Sequence, residues 1–501
     1  MKLAASQAEG ALRPTDTGPV KGTPVVPRYS YYALAILSLV NFLNYIDRQV
    51  LPAVAPLMLK DPQLKLTHAE LGYIEAALLL SFTVLAPLFG RLGDRRSRTK
   101  LMASAAVIWS VATALSGWVD RLPFLPSGVQ LHLPWINFTL AMSGAALALC
   151  LVRAVVGVGE SSYSTITPSL IADYFPPQRR ATALGVFQAA IPLGFALGFV
   201  IGGGLAYFFG WRMAFMIVGV PGIITAAIVW RLREPVRGAT DEPAHATALE
   251  EIELGPAETA AALQVTSGEV QESFVRTAWR ILSTRDWILS TAGYTALTFA
   301  LGAFATWATV LLVEDKKMSA TNAAITLGVV TLLGGAVGTF GGGWLSDRLI
   351  ARRRNAYFLV CAVATLLGIL PTSLALSSDD ARVYLPAIFF AVMLLFISNA
   401  PFHAILVNSV PTLVRATAVA LNIVIIHTFG DAISRAAVGV ISDSLSAGHL
   451  STLAAFARTL GIDAAQQHLS AALLVAPAAL VISTIFFFWG ASMQHAEHKS
   501  H

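Results

Sequence analysis

"GRLGDRRSRTK", residues 90–100, and "GGWLSDRLIARRR", residues 342–354, are two copies of one turn. Gly90, Asp94 and Arg95 correspond to Gly343, Asp347 and Arg348 at one constant offset. Each copy follows an apolar run, so each reads as a tight connection between two membrane helices. Glycine allows close helix approach, the aspartate can cap or pair with a neighbouring helix end, and the arginines hold the turn in the cytoplasm. A repeat of this length in corresponding places is the sequence mark of a transporter built from two six-helix bundles.

The rest of the chain agrees. Of 501 residues 55% are hydrophobic and 13% charged, a balance that excludes a soluble globular protein of this size. A hydrocarbon core about 30 Å thick requires runs of about 20 apolar residues. Twelve are expected, at 31–53, 69–89, 100–119, 136–158, 181–208, 213–232, 287–312, 322–345, 356–376, 383–408, 416–440 and 469–490. The fold class is therefore an all-α integral membrane protein of twelve helices in two pseudo-symmetric bundles, residues 30–233 and 286–492. Residues 1–29 and 493–501 are expected as cytoplasmic tails. The polar, acidic stretch 234–285 is expected as a cytoplasmic linker, ending in a short interfacial helix where Phe274, Trp279 and Leu282 oppose Arg276, Arg280 and Arg285. Cys150 and Cys361 both fall inside spans and read as packing residues.

The formal charge of +5 does not indicate nucleic acid, because its placement follows topology. Arg91, Arg95, Arg96, Arg98, Lys100, Arg179, Arg180, Arg348, Arg352, Arg353, Arg354 and Arg415 crowd one side; Lys60, Lys65, Arg121, Arg212, Lys316, Lys317, Arg382 and Arg458 lie on the other. That bias puts both termini in the cytoplasm. Contact with anionic lipid accounts for the basic clusters without further function.

With both turn motifs in place, the chain resembles the major facilitator superfamily from about residue 30 to 492. Span five, "GVFQAAIPLGFALGFVIGGGL", resembles the glycine- and proline-rich fifth helix of proton-driven exporters, although Gly185, Gly194, Gly198 and Gly202 also serve helix packing. "NYIDRQVLPAVAPLM", "RAVVGVGESSYSTITPSLIADYF", "NSVPTLVRATAVALN" and "HTFGDAISRAAVGVISD" narrow the resemblance to the Spinster branch, whose members move lysophospholipids and sphingoid-base phosphates.

Ionisable side chains inside a span cost at least about 2.5–3.5 kcal/mol on insertion scales and so read as functional by default. The N-terminal half offers Asp47 and Arg48 in span one and Arg153 and Glu160 in span four. A structural network would pair Asp47 with Arg153 and Arg48 with Glu160. A functional reading lets the same carboxylates exchange protons as access to the cavity changes. The resemblance implies that Asp47 carries the coupling proton, with Glu160 completing the network, and that Arg48 and Arg153 receive an anionic headgroup. Arginine suits this because its fork donates to two phosphate oxygens at once. Asn44, Tyr45 and Ser164 are expected to add hydrogen bonds. Tyr294, Phe299 and Trp307 of span seven are expected as an apolar wall for a tail. His427, Asp431 and Arg435, spaced i, i+4, i+8, should stack on one stripe, with Asp431 satisfying both neighbours. His427 is a candidate substrate contact. Asp431, Arg435, Asp94, Arg95, Asp347 and Arg348 are candidate gating residues. His403 reads as a core histidine or a proton relay.

No His, Cys and carboxylate cluster has metal-ligand spacing, so no metal site is expected, and no phosphate-binding "GxxxxGK[ST]" stretch supports ATP-driven pumping. No cofactor is expected beyond the proton. The expectation is a monomeric, proton-coupled secondary transporter of the bacterial inner membrane, working by alternating access on a lysolipid or sphingoid-phosphate-like anion, with membrane lipid as its other partner. A drug or metabolite antiporter is the alternative within the class. A sensor on the same scaffold would need a large output domain, and a lipid enzyme would need a nucleophile–base pair or metal motif.

Overall fold

The runs flanking both repeated turns are helical, and the chain is a bundle of long helices in the computed structural model. The structure describes residues 26–121, 128–133, 138–238, 240, 274–411 and 414–499. Most of the expected N-terminal tail, linker residues 241–273 and the last two residues lie outside these. The first bundle holds α1 (Arg28–Leu59), α2 (His68–Arg95), α3 (Arg98–Ser116), α4 (Gly144–Tyr174), α5 (Pro177–Phe209) and α6 (Trp211–Trp230). After a short helix at Phe274–Leu282 the second holds α7 (Arg285–Glu314), α8 (Ala320–Ile350), α9 (Ala356–Ser377), α10 (Ala381–Asn408), α11 (Thr417–Ser446) and α12 (His468–Gln494). Eleven of these are long and apolar enough to cross a membrane. The twelfth, α1, carries Asn41, Asn44, Asp47, Arg48 and Gln49 within its apolar run. Exposed Val84, Leu151, Phe340, Leu370 and Ile485 present an apolar outer face, as a lipid solvent requires.

The expected span at 136–158 is misplaced. Val129–Leu133 and Phe138–Met142 form an antiparallel hairpin, with Val129 opposite Met142. The helix starts only after Ser143, whose side chain accepts the Ala146 N–H, and continues to Tyr174. It stays helical through "ESSYSTITPS" because Ser161, Ser164, Thr165, Thr167 and Ser169 each donate to a carbonyl of their own helix. Those five hydroxyls are thus satisfied without water, whereas the buried Ser162 hydroxyl has no partner.

Within the bundles α1 packs on α5 and α2 on α4, matched by α7 on α11 and α8 on α10. Gly194, Gly198 and Gly202 bring α5 against the α1 backbone at Phe42, Ile46 and Val50, so packing accounts for most of the span-five glycine pattern; Gly185 meets nothing. Across the bundles α2 meets α11 and α5 meets α8, the pseudo-symmetric counterpart.

The cross-bundle contacts concentrate at the end away from the repeated turns, here called the far end; the arginine-rich turns mark the basic end. Asp443 of α11 accepts the backbone N–H groups of His68 and Ala69 at 3.1 and 2.7 Å, placing a carboxylate on the positive end of α2. Thr309 of α7 donates to the Pro52 carbonyl of α1, which Pro56 leaves without its helical partner. Core residues Leu51, Val54 and Met58 of α1 join Val310 and Leu311 of α7 and Leu469 of α12 in one cluster. At the basic end Asp94, Arg95, Asp347 and Arg348 are all exposed, and Asp94 receives Arg237 from the same half of the chain. Arg98 differs from the other arginines of that turn. It is buried, 2.5 Å from Asp173 and 3.1 Å from Glu234, so it ties α3 to the ends of α4 and α6 rather than facing lipid.

Candidate functional site

Between the bundles lies a cavity of about 260 Å3. One wall is charged: Tyr45 and Arg48 from α1, Glu75 from α2, Arg153 from α4, and His427, Asp431 and Arg435 from α11. The other is apolar: Phe195 and Phe199 from α5, Phe304 from α7, Leu327 from α8, and Val392 and Phe396 from α10.

The two pairs weighed from sequence both form. Arg48 Nε donates to Glu160 Oε2 at 2.6 Å, and its guanidinium lies over the rings of Tyr45 and Phe82 at 5.1 and 4.8 Å. Arg153 Nη1 lies 3.7 Å from Asp47 Oδ1, an ion pair too long to be a hydrogen bond. Arg153 is fully buried, yet its Nε, Nη1 and Nη2 have no acceptor, and Asp47 Oδ1 has no donor. Thr113 of α3, not foreseen from sequence, donates to Asp47 Oδ2 at 2.5 Å. Asp47 and Glu160 stand behind the wall, holding the arginines that line it.

Arg435 corrects the expected stripe. His427 Nδ1 does meet Asp431 Oδ2, at 2.8 Å. Arg435 instead crosses to the other bundle, 2.5 Å from Glu75 Oε2, and donates to Thr306 Oγ1 at 2.9 Å. The reason is local: Ile426–Ala432 is π-helical, and its wider turns break the i, i+4, i+8 register that an unbroken α-helix would keep. Glu75 is legible in the sequence as an acid inside the apolar run "LGYIEAALLL", the same signal that marks Asp47.

Other expected contacts sit elsewhere. Tyr294 stacks on Phe402 with 3.6 Å between centroids and donates to Asn399 at 2.7 Å. Trp307 is buried near the far end, its Nε1 donating to the Arg435 carbonyl at 3.0 Å. Ser164 turns back onto its own helix at 3.3 Å, and neither Asn44 nor Phe299 is among the lining residues. The aromatic wall therefore comes from α5 and α10 together with Phe304. His403 is exposed beside Phe402 rather than in the core.

Comparison with known proteins agrees with this architecture. Residues 37–435 match the family model of the Major Facilitator Superfamily. Protein spinster of Drosophila melanogaster is 30% identical over 431 residues, 84% of this chain; the chain spans 63% of that protein's length. Protein spinster homolog 3 of Danio rerio is 31% identical over 440 residues, covering 85% of this chain and 79% of its own. Among solved structures, a bacterial homolog to the human lysosomal transporter Spinster, in an inward-facing and occupied conformation, superimposes with a TM-score of 0.71. It is 21% identical and covers 93% of this chain and 97% of its own.

Proposed function

The chain belongs to the major facilitator superfamily, in its Spinster branch, and from that premise we propose that it carries an anionic lysolipid or sphingoid-phosphate-like molecule, coupled to protons. It is a multi-pass membrane transporter of a small molecule, not an enzyme. The observation that carries the substrate class is Arg153: a guanidinium sealed from water, without a hydrogen-bond acceptor, at the charged wall of a cavity whose opposite wall is apolar. A phosphate on an apolar tail supplies what each wall lacks, acceptors for the fork and surface for Phe195, Phe199 and Phe396.

Proton coupling rests on charge count. Arg48, Arg153 and Arg435 face Asp47, Glu75, Glu160 and Asp431, one more carboxylate than guanidinium. A monoanion entering this set adds negative charge in a low-dielectric site, and a proton on a carboxylate offsets it. Asp47 and Glu160 are the carrier candidates because each stands behind the wall beside an arginine of the same bundle, Arg153 and Arg48, that a bound anion would draw away from it.

In this proposal the basic end is cytoplasmic, the protein works as a monomer in a bacterial inner membrane, and closure of the far end corresponds to an inward-facing state. Asp94, Arg95, Asp347 and Arg348, exposed here, meet the opposite bundle when the cytoplasmic mouth closes. The test is flux in proteoliposomes with a panel of lysolipids, sphingoid phosphates and neutral amphiphiles, with and without an imposed pH gradient. Anionic amphiphiles should accumulate only with the gradient. Gradient-independent flux, or equal flux of neutral amphiphiles, refutes the reading.

A further inference from the structure

The closed far end holds a second cluster, which the transport reading leaves unused. His68 opens α2 in the first bundle; Glu314 ends α7 and His468 opens α12 in the second. A ring nitrogen from each histidine and a carboxylate oxygen of Glu314 all lie within 4.8 Å of one another. His68 Nε2 is 2.9 Å from Glu314 Oε2, and the two imidazoles meet edge to face at 5.3 Å between centroids. On its other side His68 Nδ1 lies 3.2 Å from Asp443 Oδ1, and Asp443 is itself anchored by the Ala69 N–H.

That outer contact supplies the second argument. A histidine that ligates a metal nearly always gives its other ring N–H to a carboxylate or carbonyl, which fixes the tautomer and leaves the ligating nitrogen unprotonated. Asp443 is placed to be that acceptor, so Nε2 turns its lone pair to a metal once the proton it shares with Glu314 is displaced. Two imidazoles and one carboxylate, with a fourth position for water, form a donor set suited to zinc at bonds of about 2.0–2.2 Å. A tetrahedral site with such bonds needs ligand atoms about 3.4 Å apart, and the observed grouping, within 4.8 Å, differs from that by roughly 1.4 Å at most, a displacement on the scale of a side chain. Its ligands come from three helices distant in sequence, which is why no local spacing betrays it.

We propose that His68, Glu314 and His468 form a zinc-class metal site that exists only while the two bundles meet at the far end. Metal reaching it from the non-cytoplasmic side then holds the transporter closed on that side. Bound zinc takes the place of the proton that His68 and Glu314 otherwise share, and Asp443 keeps its hydrogen bond.

The test uses the full, tag-free chain in lipid nanodiscs. Zinc chloride titrated by calorimetry should bind at one site. His468→Gln and Glu314→Gln should each weaken binding at least tenfold, and Asp443→Asn by roughly 10–100-fold, as loss of an outer partner does. His449→Gln removes an exposed imidazole outside the cluster and should change nothing. The closing action is read by spin labels at Lys100→Cys and Ala351→Cys, exposed positions on opposite bundles at the basic end, with Cys150→Ala and Cys361→Ala. Zinc should shift that distance toward its longer population, reversibly with a chelator and not in His468→Gln. Undiminished binding in both His468→Gln and Glu314→Gln overturns the site; tight binding with an unchanged distance overturns its dependence on state.

Discussion

Replacing Arg153 by lysine separates reading a headgroup from neutralising a carboxylate. The guanidinium is fully buried and its contact with Asp47 is an ion pair at 3.7 Å without a hydrogen bond, so its donors are free for a ligand. Lysine retains the charge but replaces a planar fork by a point donor, so a phosphate loses one of two charge-assisted hydrogen bonds. Such a bond is worth about 1.5–3 kcal/mol, and at about 1.4 kcal/mol per decade the affinity for an anionic lysolipid should fall roughly 10- to 150-fold. A neutral amphiphile of equal chain length should bind as before, because the apolar wall is untouched. Direct binding of both labelled ligands to the purified variant, with thermal unfolding as a fold control, gives the answer. Arg153→Ala is less useful: it leaves Asp47 buried with Thr113 alone, at about 3–5 kcal/mol, and the fold itself is then at risk. Equal losses for charged and neutral ligands, or none for either, would refute the headgroup role.

Asp47→Asn should abolish accumulation driven by a pH gradient while leaving a folded protein; uphill transport by this variant in proteoliposomes would remove Asp47 as the carrier. Arg435→Gln leaves Glu75 buried without its cross-bundle partner and should destabilise the far-end-closed state by about 3–5 kcal/mol, whereas Glu75→Gln with Arg435→Gln should recover most of that. Thermal unfolding of the single and double variants checks it, and additive losses would show the pair to be uncoupled. Glu234 lies outside the spans. Burial there raises its carboxyl pKa, but hydrogen bonds from Ser97 and Arg98 outweigh this and hold it below the usual range. A depressed carboxylate stabilises the fold above its unfolded pKa, about 4.3, and loses that contribution as pH falls through the folded value. Glu234→Gln should therefore lower the unfolding temperature at pH 7, by roughly 1–2 kcal/mol of stability, and the difference should close in acid; a deficit persisting at pH 3 would contradict this.

The sequence alone determined the twelve helices, their division into two bundles and the candidate charges Asp47, Arg48, Arg153 and Glu160. The physical reason is that lipid leaves a spanning chain no choice but to close its hydrogen bonds within the helix, so length and apolarity decide the element. Internal repetition then decides the architecture. The reading failed where polar residues blurred that signal. "LHLPWINFTLAM" is apolar enough to pass for part of a span, and the serines and threonines after Glu160 hid how far α4 continues.

Tertiary structure decided everything that depends on how helices are rotated about their axes. The π-helical turns of α11 send Arg435 to Glu75, and close glycine packing of α5 on α1 leaves Phe195 and Phe199 facing the cavity. Thr113 became a partner of Asp47 only because α3 lies against it. The grouping of His68 with Glu314 and His468 has no counterpart in sequence spacing, since it forms only when two bundles close on each other. A hydrophobic period places a residue on a helix face, but the partner opposite that face is chosen by packing between segments hundreds of residues apart.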